Sequence, residues 1–231
     1  MSIAENIAQV RTNIAQACAQ AGRSPEEITV VGASKMNDAA ACREAIAAGI
    51  DALGENRVQE MTAKLADNAY DGAPLHFIGH LQRNKVKQVV GKVALIQSVG
   101  SMELLEEIEK VAAREQLVQD ILLEVNIGRE EAKSGFDPDA VTAAAEAALS
   151  LPHVRVRGLM TIPPADADRD ANMRYFQEVQ ALYVDINTKL FHNELKCLSM
   201  GMSGDYMDAI RCGATMVRVG TAIFGARNYN I

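Results

Sequence analysis

The sequence holds 231 residues, 48% hydrophobic and 23% charged, with 30 acidic against 23 basic side chains and a formal net charge of −7. So large an apolar fraction excludes a disordered chain, and no run of about 18 apolar residues is present to form a membrane-spanning helix. The acidic balance argues against a protein that wraps nucleic acid over its whole surface.

Ile3, Ile7, Val10, Ile14 and Cys18 recur at helical spacing and predict an amphipathic N-terminal helix. No secretory apolar core follows Met1. The cysteines Cys18, Cys42, Cys197 and Cys212 are scattered, with no paired spacing for disulfides or zinc. A soluble, reduced, cytoplasmic protein without a metal is the expectation. A first strand is predicted over Ile28–Ser34, then a helix from Asp38 to Ala48 with Gly49 at its C′ position. Strands follow at Ala52–Gly54 and Leu75–Gly79. Between Gly72 and Met102 no acid occurs, while Arg83, Lys85, Lys87 and Lys92 cluster, as a solvated helix face or an anion-attracting patch. The fourth strand is Leu95–Val99, and Ser101 can cap a helix carrying Leu104, Leu105, Ile108 and Val111. After a fifth strand at Ile121–Ile127, Asp137-Pro138 reads as the N-cap and first position of a helix. A sixth strand, Val156–Ile162, leads through Pro163-Pro164-Ala165-Asp166 to the longest helix, Asn172 to Leu190. The last strands are Lys196–Met200 and Met216–Val219, separated by a helix from Asp205 to Cys212 that ends at Gly213.

The strands are apolar at both alternating positions, as in parallel sheets buried on two faces. No linker, repeat or composition shift divides the chain. Eight strand–helix units predict an α/β fold: a single (β/α)8 TIM barrel over residues 1–231, with an extra N-terminal helix. An open doubly wound sheet is the alternative.

Barrel chemistry gathers at the C-terminal strand ends, and polar residues collect there. Lys35 ends the first strand, where an ammonium at an apolar rim loses hydration and becomes available for a Schiff base with a carbonyl. Glu55, Asn56 and Arg57 end the second, with Asn56 able to bond a ligand and Glu55 able to pair with Arg57. His80 follows the third as a group that could stack on a ring or handle a proton. Ser199 lies in the seventh strand, and Gly220-Thr221 follow the eighth, where such barrels commonly hold phosphate against small residues and free backbone N–H groups. A Schiff-base lysine and a phosphate cradle on one barrel face fit pyridoxal 5′-phosphate. Arg218, always cationic, would keep a pyridine nitrogen unprotonated; a salt bridge at a strand end is its other reading.

Six ordered motifs now stand together: Ala33-Ser34-Lys35, Gly54-Glu55-Asn56-Arg57-Val58-Gln59-Glu60, His76 through Lys85, Gly158-Leu159-Met160-Thr161, Leu198 through Ser203, and Val217-Arg218-Val219-Gly220-Thr221. Through them nearly the whole chain resembles the pyridoxal phosphate homeostasis protein family, also called the YggS or proline synthase co-transcribed family. The resemblance implies a barrel like the N-terminal domain of alanine racemase, with the cofactor held as a Schiff base on Lys35. It further implies phosphate contacts around Ser199, Gly220 and Thr221, with Arg218 near the pyridine nitrogen. Carried onto the motif positions, the expected cofactor shell is Lys35, Asn56, His80, Met160, Ser199, Met200, Arg218, Gly220 and Thr221. Leu75 stands where a tryptophan is expected, and Gly100 where an aspartate is.

The resemblance implies a monomeric holder of vitamin B6 cofactor that affects amino-acid and keto-acid balance, without an established reaction of its own, and apo-enzymes as recipients. The alternative is a pyridoxal-phosphate-dependent racemase or another weak amino-acid-acting enzyme. A two-base racemization is disfavoured, since only Thr221 to Ile231, including Tyr229, follows the eighth strand. A Schiff-base aldolase would keep Lys35 without this cofactor. A nucleic-acid binder acting through the Arg83–Lys92 patch is the least favoured, given the charge of −7.

Overall fold

A computed structural model of the chain describes residues 1–225. Eight parallel strands close into a barrel in sequence order: β1 (Thr29–Ala33), β2 (Ala52–Glu55), β3 (Leu75–Phe77), β4 (Leu95–Val99), β5 (Gln119–Val125), β6 (Val154–Thr161), β7 (Cys197–Ser199) and β8 (Met216–Val219). The helices around it are α1 (Ile3–Ala21), α2 (Ala39–Ala47), α3 (Val58–Ala66), α4 (Met102–Arg114), α5 (Val141–Ala148), α6 (Arg169–Leu190), α7 (Tyr206–Arg211) and α8 (Thr221–Phe224). The closed barrel settles the choice against an open sheet.

Two apolar layers hold it together. Val31, Ala52, Leu95, Leu122, Met160 and Met216 fill the barrel interior, and a larger shell packs between strands and helices. The predicted stripe on α1 is the buried one: Ile7, Val10, Ile14 and Cys18 face inward, each large aliphatic contributing about 1.5–3 kcal/mol. A Ser2–Glu5 capping box starts this helix, and Gly22 at φ 65° ends it. Asn6 Nδ2 donates to the Ile223 carbonyl at 2.8 Å, and Arg23 Nη1 donates to the carbonyls of Ile210 and Ala214 at 2.9 and 2.8 Å. Helix α1 thus braces α7 and α8, which follow the last two strands.

Local departures from the sequence expectation have physical causes. The Asp137-Pro138 signal makes a turn, not a helix start. The Asp137 carboxylate accepts from Asp139 N at 2.9 Å and from Arg129 at 2.7 Å, so α5 begins at Val141. The basic stretch forms a 3₁₀ helix at Arg83–Gln88 in place of an α-helical crossover. Its Val86, with Val89 and Val90 just beyond, is buried, whereas Arg83, Lys87 and Lys92 are exposed. Among the described residues no helix is long and apolar enough to cross a membrane, and no cluster of three or more His, Cys, Asp or Glu could hold a metal. Tyr229 lies outside the described residues.

Candidate functional site

The site begins where the last strand meets the first. Val31 pairs with Arg218 and Gly32 with Val219, so the two strand ends emerge side by side. Gly220 lies against the end of β1: a Cβ there would come 3.4 Å from the Ala33 carbonyl oxygen. Lys35, partly buried, sits in the tight turn that follows, where Asn37 N donates to the Ser34 carbonyl at 3.1 Å and Met36 takes φ 62°. The chain brings Lys35 and the Gly220-Thr221 loop to one rim, as their motif positions required. Ser203, part of a motif but not of the expected cofactor shell, joins them from the β7–α7 loop: its Oγ accepts from the N–H groups of Gly220 and Ala222 at 3.2 and 3.3 Å. Those two amides therefore already converge on one oxygen.

A buried ionic cluster supports the Lys35 turn from beneath. Glu55 Oε1 accepts from Ser34 Oγ at 2.6 Å, Lys64 Nζ at 2.7 Å and Tyr70 OH at 3.0 Å. Lys64 donates further to the Ser34 carbonyl at 2.8 Å and to Glu60 at 3.0 Å. Glu60 in turn accepts from the Met36 N–H. Residues on both sides of Lys35 are thereby tied to one cluster. The expected Glu55–Arg57 pair does not form. Glu55 is wholly buried, whereas exposed Arg57 stands at the start of α3, and Lys64, two turns along that helix, reaches back instead.

The inward-facing shell residues take different places. Arg218 is buried, with Nη1 donating to Ser199 Oγ at 2.5 Å and Nη2 to the Thr161 carbonyl at 2.8 Å. Burial pulls its guanidinium down to about 10 against the charges of Glu124 and Asp205, leaving it cationic at neutral pH. Ser199, expected at the phosphate, lies fully inside, and its hydroxyl also donates to Gln97 Oε1 at 2.6 Å. Met160 belongs to the interior cluster, and Met200 packs outward in the strand–helix layer. The structure does not bring Ser199 or Met200 to the rim with Lys35 and Gly220.

A cavity of about 450 Å³ opens over the ends of β2, β3, β5 and β6, lined by Asn56, His80, Glu124, Lys133, Ser134 and Ile162 among others. His80, exposed, is bonded through Nδ1 to Ser134 Oγ at 2.7 Å. Two buried acceptors, Asn56 Oδ1 and Glu124 Oε2, have no protein partner among the described residues; an unpaired buried polar atom costs about 1–3 kcal/mol. They suit a ligand that donates hydrogen bonds. Burial pushes the Glu124 carboxyl above the usual range, and Arg218 partly opposes the shift. Gly100 has a packing reason: a Cβ there would lie 2.6 Å from the Gly135 nitrogen, so the loop that carries Lys133 and Ser134 rests on it.

The family description "Alanine racemase, N-terminal domain" matches residues 6–228. Proteins named pyridoxal phosphate homeostasis protein are 42% identical in Aquifex aeolicus, across 99% of this chain and 100% of that protein. The Escherichia coli K12 protein of that name is 37% identical, across 99% and 98%. Among solved structures, PipY of Synechococcus elongatus with PLP bound has a TM-score of 0.85 at 32% identity, covering 97% of this chain and 100% of that one. Alanine racemase of Clostridium difficile 630 shares the fold, with a TM-score of 0.75 at 17% identity, covering 99% of this chain and 58% of the racemase.

Proposed function

Because the chain belongs to the pyridoxal phosphate homeostasis protein family, we propose that it binds pyridoxal 5′-phosphate and serves the intracellular balance of that cofactor, and so of amino and keto acids. The observation that carries the reading is the junction of β1 and β8, where a lysine turn and a loop of converging amides share one rim above the buried Arg218. The residues fit the group. The Gly220 and Ala222 amides suit an anion, and the unpartnered Asn56 and Glu124 oxygens accept donors from a ligand in the adjoining cavity. When bound, pyridoxal phosphate supplies an aldehyde for attachment to an amine and an electron-accepting ring.

In this reading Lys35 Nζ is the attachment point, held in place by the cluster that grips Ser34 and Met36. Gly220, Thr221 and Ser203 receive the phosphate. Arg218, a donor only, faces the ring nitrogen and denies it a proton. Asn56 and His80 border the ring from β2 and β3, and Met160 closes the floor. Ser199 acts one step removed, through Arg218. The protein works as a single cytoplasmic chain that holds the cofactor and releases it to apo-enzymes.

Incubation with pyridoxal phosphate followed by desalting should leave the wild type yellow, with a long-wavelength band that Lys35→Ala lacks. A wild type that retains no absorbance after repeated reconstitution contradicts the proposal.

A further inference from the structure

A chain of hydrogen bonds crosses the barrel interior beneath the rim, from Arg218 on β8 through Ser199 on β7 and Gln97 on β4 to His76 on β3. Arg218 Nη1 donates to Ser199 Oγ at 2.5 Å, Ser199 donates to Gln97 Oε1 at 2.6 Å, and Gln97 Nε2 meets His76 Nδ1 at 2.9 Å. All four side chains are buried, Ser199 and Gln97 completely.

The order of donors is fixed from the cationic end. A guanidinium can only donate, so Ser199 Oγ accepts from it and must send its own hydrogen to Gln97 Oε1. The Gln97 amide nitrogen then faces His76 Nδ1 on one side and the Met216 sulfur at 3.2 Å on the other, both acceptors. Turning the amide over would leave the Ser199 hydroxyl without an acceptor and set the amide oxygen against the thioether. His76 is therefore the neutral tautomer with its proton on Nε2. Burial holds this imidazole down at about 4, so Nδ1 keeps its lone pair at neutral pH.

We infer that Gln97 and His76 are positioning residues for Arg218: a one-way hydrogen-bond chain ending at His76 holds Ser199 and, through it, the guanidinium in one orientation. The second contact, Nη2 to the Thr161 carbonyl at 2.8 Å, fixes the plane of the fork. A buried polar chain of this kind specifies one arrangement when every member is satisfied. The consequence for cofactor retention rests on the proposed binding of pyridoxal phosphate; the tautomer and the guanidinium orientation do not.

Side-chain ¹⁵N NMR of the wild type without added cofactor tests the chain. The expected result is a His76 ring protonated on Nε2 alone, and separate, slowly exchanging Nη signals for Arg218. A ring protonated on Nδ1 overturns the inference. In Gln97→Leu the Ser199 hydroxyl loses its acceptor, so the Arg218 Nη1 signal should shift and exchange faster while Nη2 stays held by the Thr161 carbonyl. An unchanged Nη1 signal in that folded variant also overturns the inference. Should Gln97→Leu not fold, His76→Asn and His76→Phe decide. Asparagine offers an oxygen to Gln97 and keeps the Arg218 Nη1 signal as in the wild type, whereas phenylalanine offers none and shifts it; equal behaviour of the two contradicts the chain. In the second arm, pyridoxal phosphate retention falls about tenfold in Gln97→Leu, matching loss of a hydrogen bond that orients a charged group. A wild type that retains no cofactor would defeat the proposed function while leaving the NMR result standing.

Discussion

Lys64→Ala should destabilise the folded chain by about 3–5 kcal/mol, the usual cost of leaving a buried carboxylate without its cation. Lys64 is 8% exposed and Glu55 not at all. All three ammonium protons are used, on Glu55, Glu60 and the Ser34 carbonyl. Without them Glu55 keeps only the Ser34 and Tyr70 hydroxyls, and its second oxygen already lacks a partner among the described residues. Chemical denaturation followed by circular dichroism gives the number. Glu55→Gln combined with Lys64→Met should recover much of the loss, because a neutral pair of similar volume carries no unpaired charge. A Lys64→Ala loss below about 1 kcal/mol would show that the cluster is not the support described.

The same cluster sets an alkaline limit. Burial alone would lower the Lys64 ammonium, but the Glu55 charge and the hydrogen bonds it donates to Glu55 and Glu60 more than reverse this and hold it above its ordinary 10.5. Burial, with the Glu55 charge next, pushes the Tyr70 phenol above its ordinary 10.0. In both cases the folded state keeps a proton that the unfolded chain gives up, so stability is full below about pH 10 and falls as pH rises past it.

Gly158→Ala should be as damaging for a steric reason. A Cβ at Gly158 would lie 1.7 Å from the Cys197 carbonyl oxygen and 2.6 Å from its carbon, across the β6–β7 ladder where Gly158 pairs with Cys197. The obstacle is backbone, and φ at this position is +155°, so no rotamer change relieves the clash. The expected cost is about 3 kcal/mol or more, at the upper end of overpacking, with β7 displaced along with its Ser199. Gly204→Ala is the control, with nothing within 4 Å of its added methyl. Thermal unfolding should drop sharply for the first and little for the second. Equal melting temperatures would mean that β6 and β7 do not meet at this register.

The sequence made the barrel legible where strands are short apolar runs between turn residues. Leu95–Val99 and Met216–Val219 were delimited to the residue, matching β4 and β8. Strands β5 and β6 start two residues before their predicted beginnings because polar side chains are satisfied there. Gln119 bonds the Val93 carbonyl and the Gly91 N–H, and Asp120 pairs with Arg155 at 2.6 Å. Such partners come from other strands and loops and leave no mark on local periodicity. The candidate site divides the same way. Lys35 and Gly220 were visible because rim chemistry follows strand ends. The Glu55–Lys64 pair was hidden because its lysine belongs to the next helix. Ser199 looked like a phosphate contact because the hydroxyl is small and close to the strand end. Only barrel closure, which faces β4 toward β7 and β8, reveals that Gln97 and Arg218 occupy it.

The attachment of pyridoxal phosphate to Lys35 is tested most directly by incubating the protein with the cofactor, reducing it with borohydride and mapping the modified peptide by mass spectrometry. The expected result is a single cofactor-sized addition on the peptide that contains Lys35, and none anywhere in Lys35→Ala. Modification concentrated on Lys133 or Lys64, with Lys35 unmodified, would contradict it.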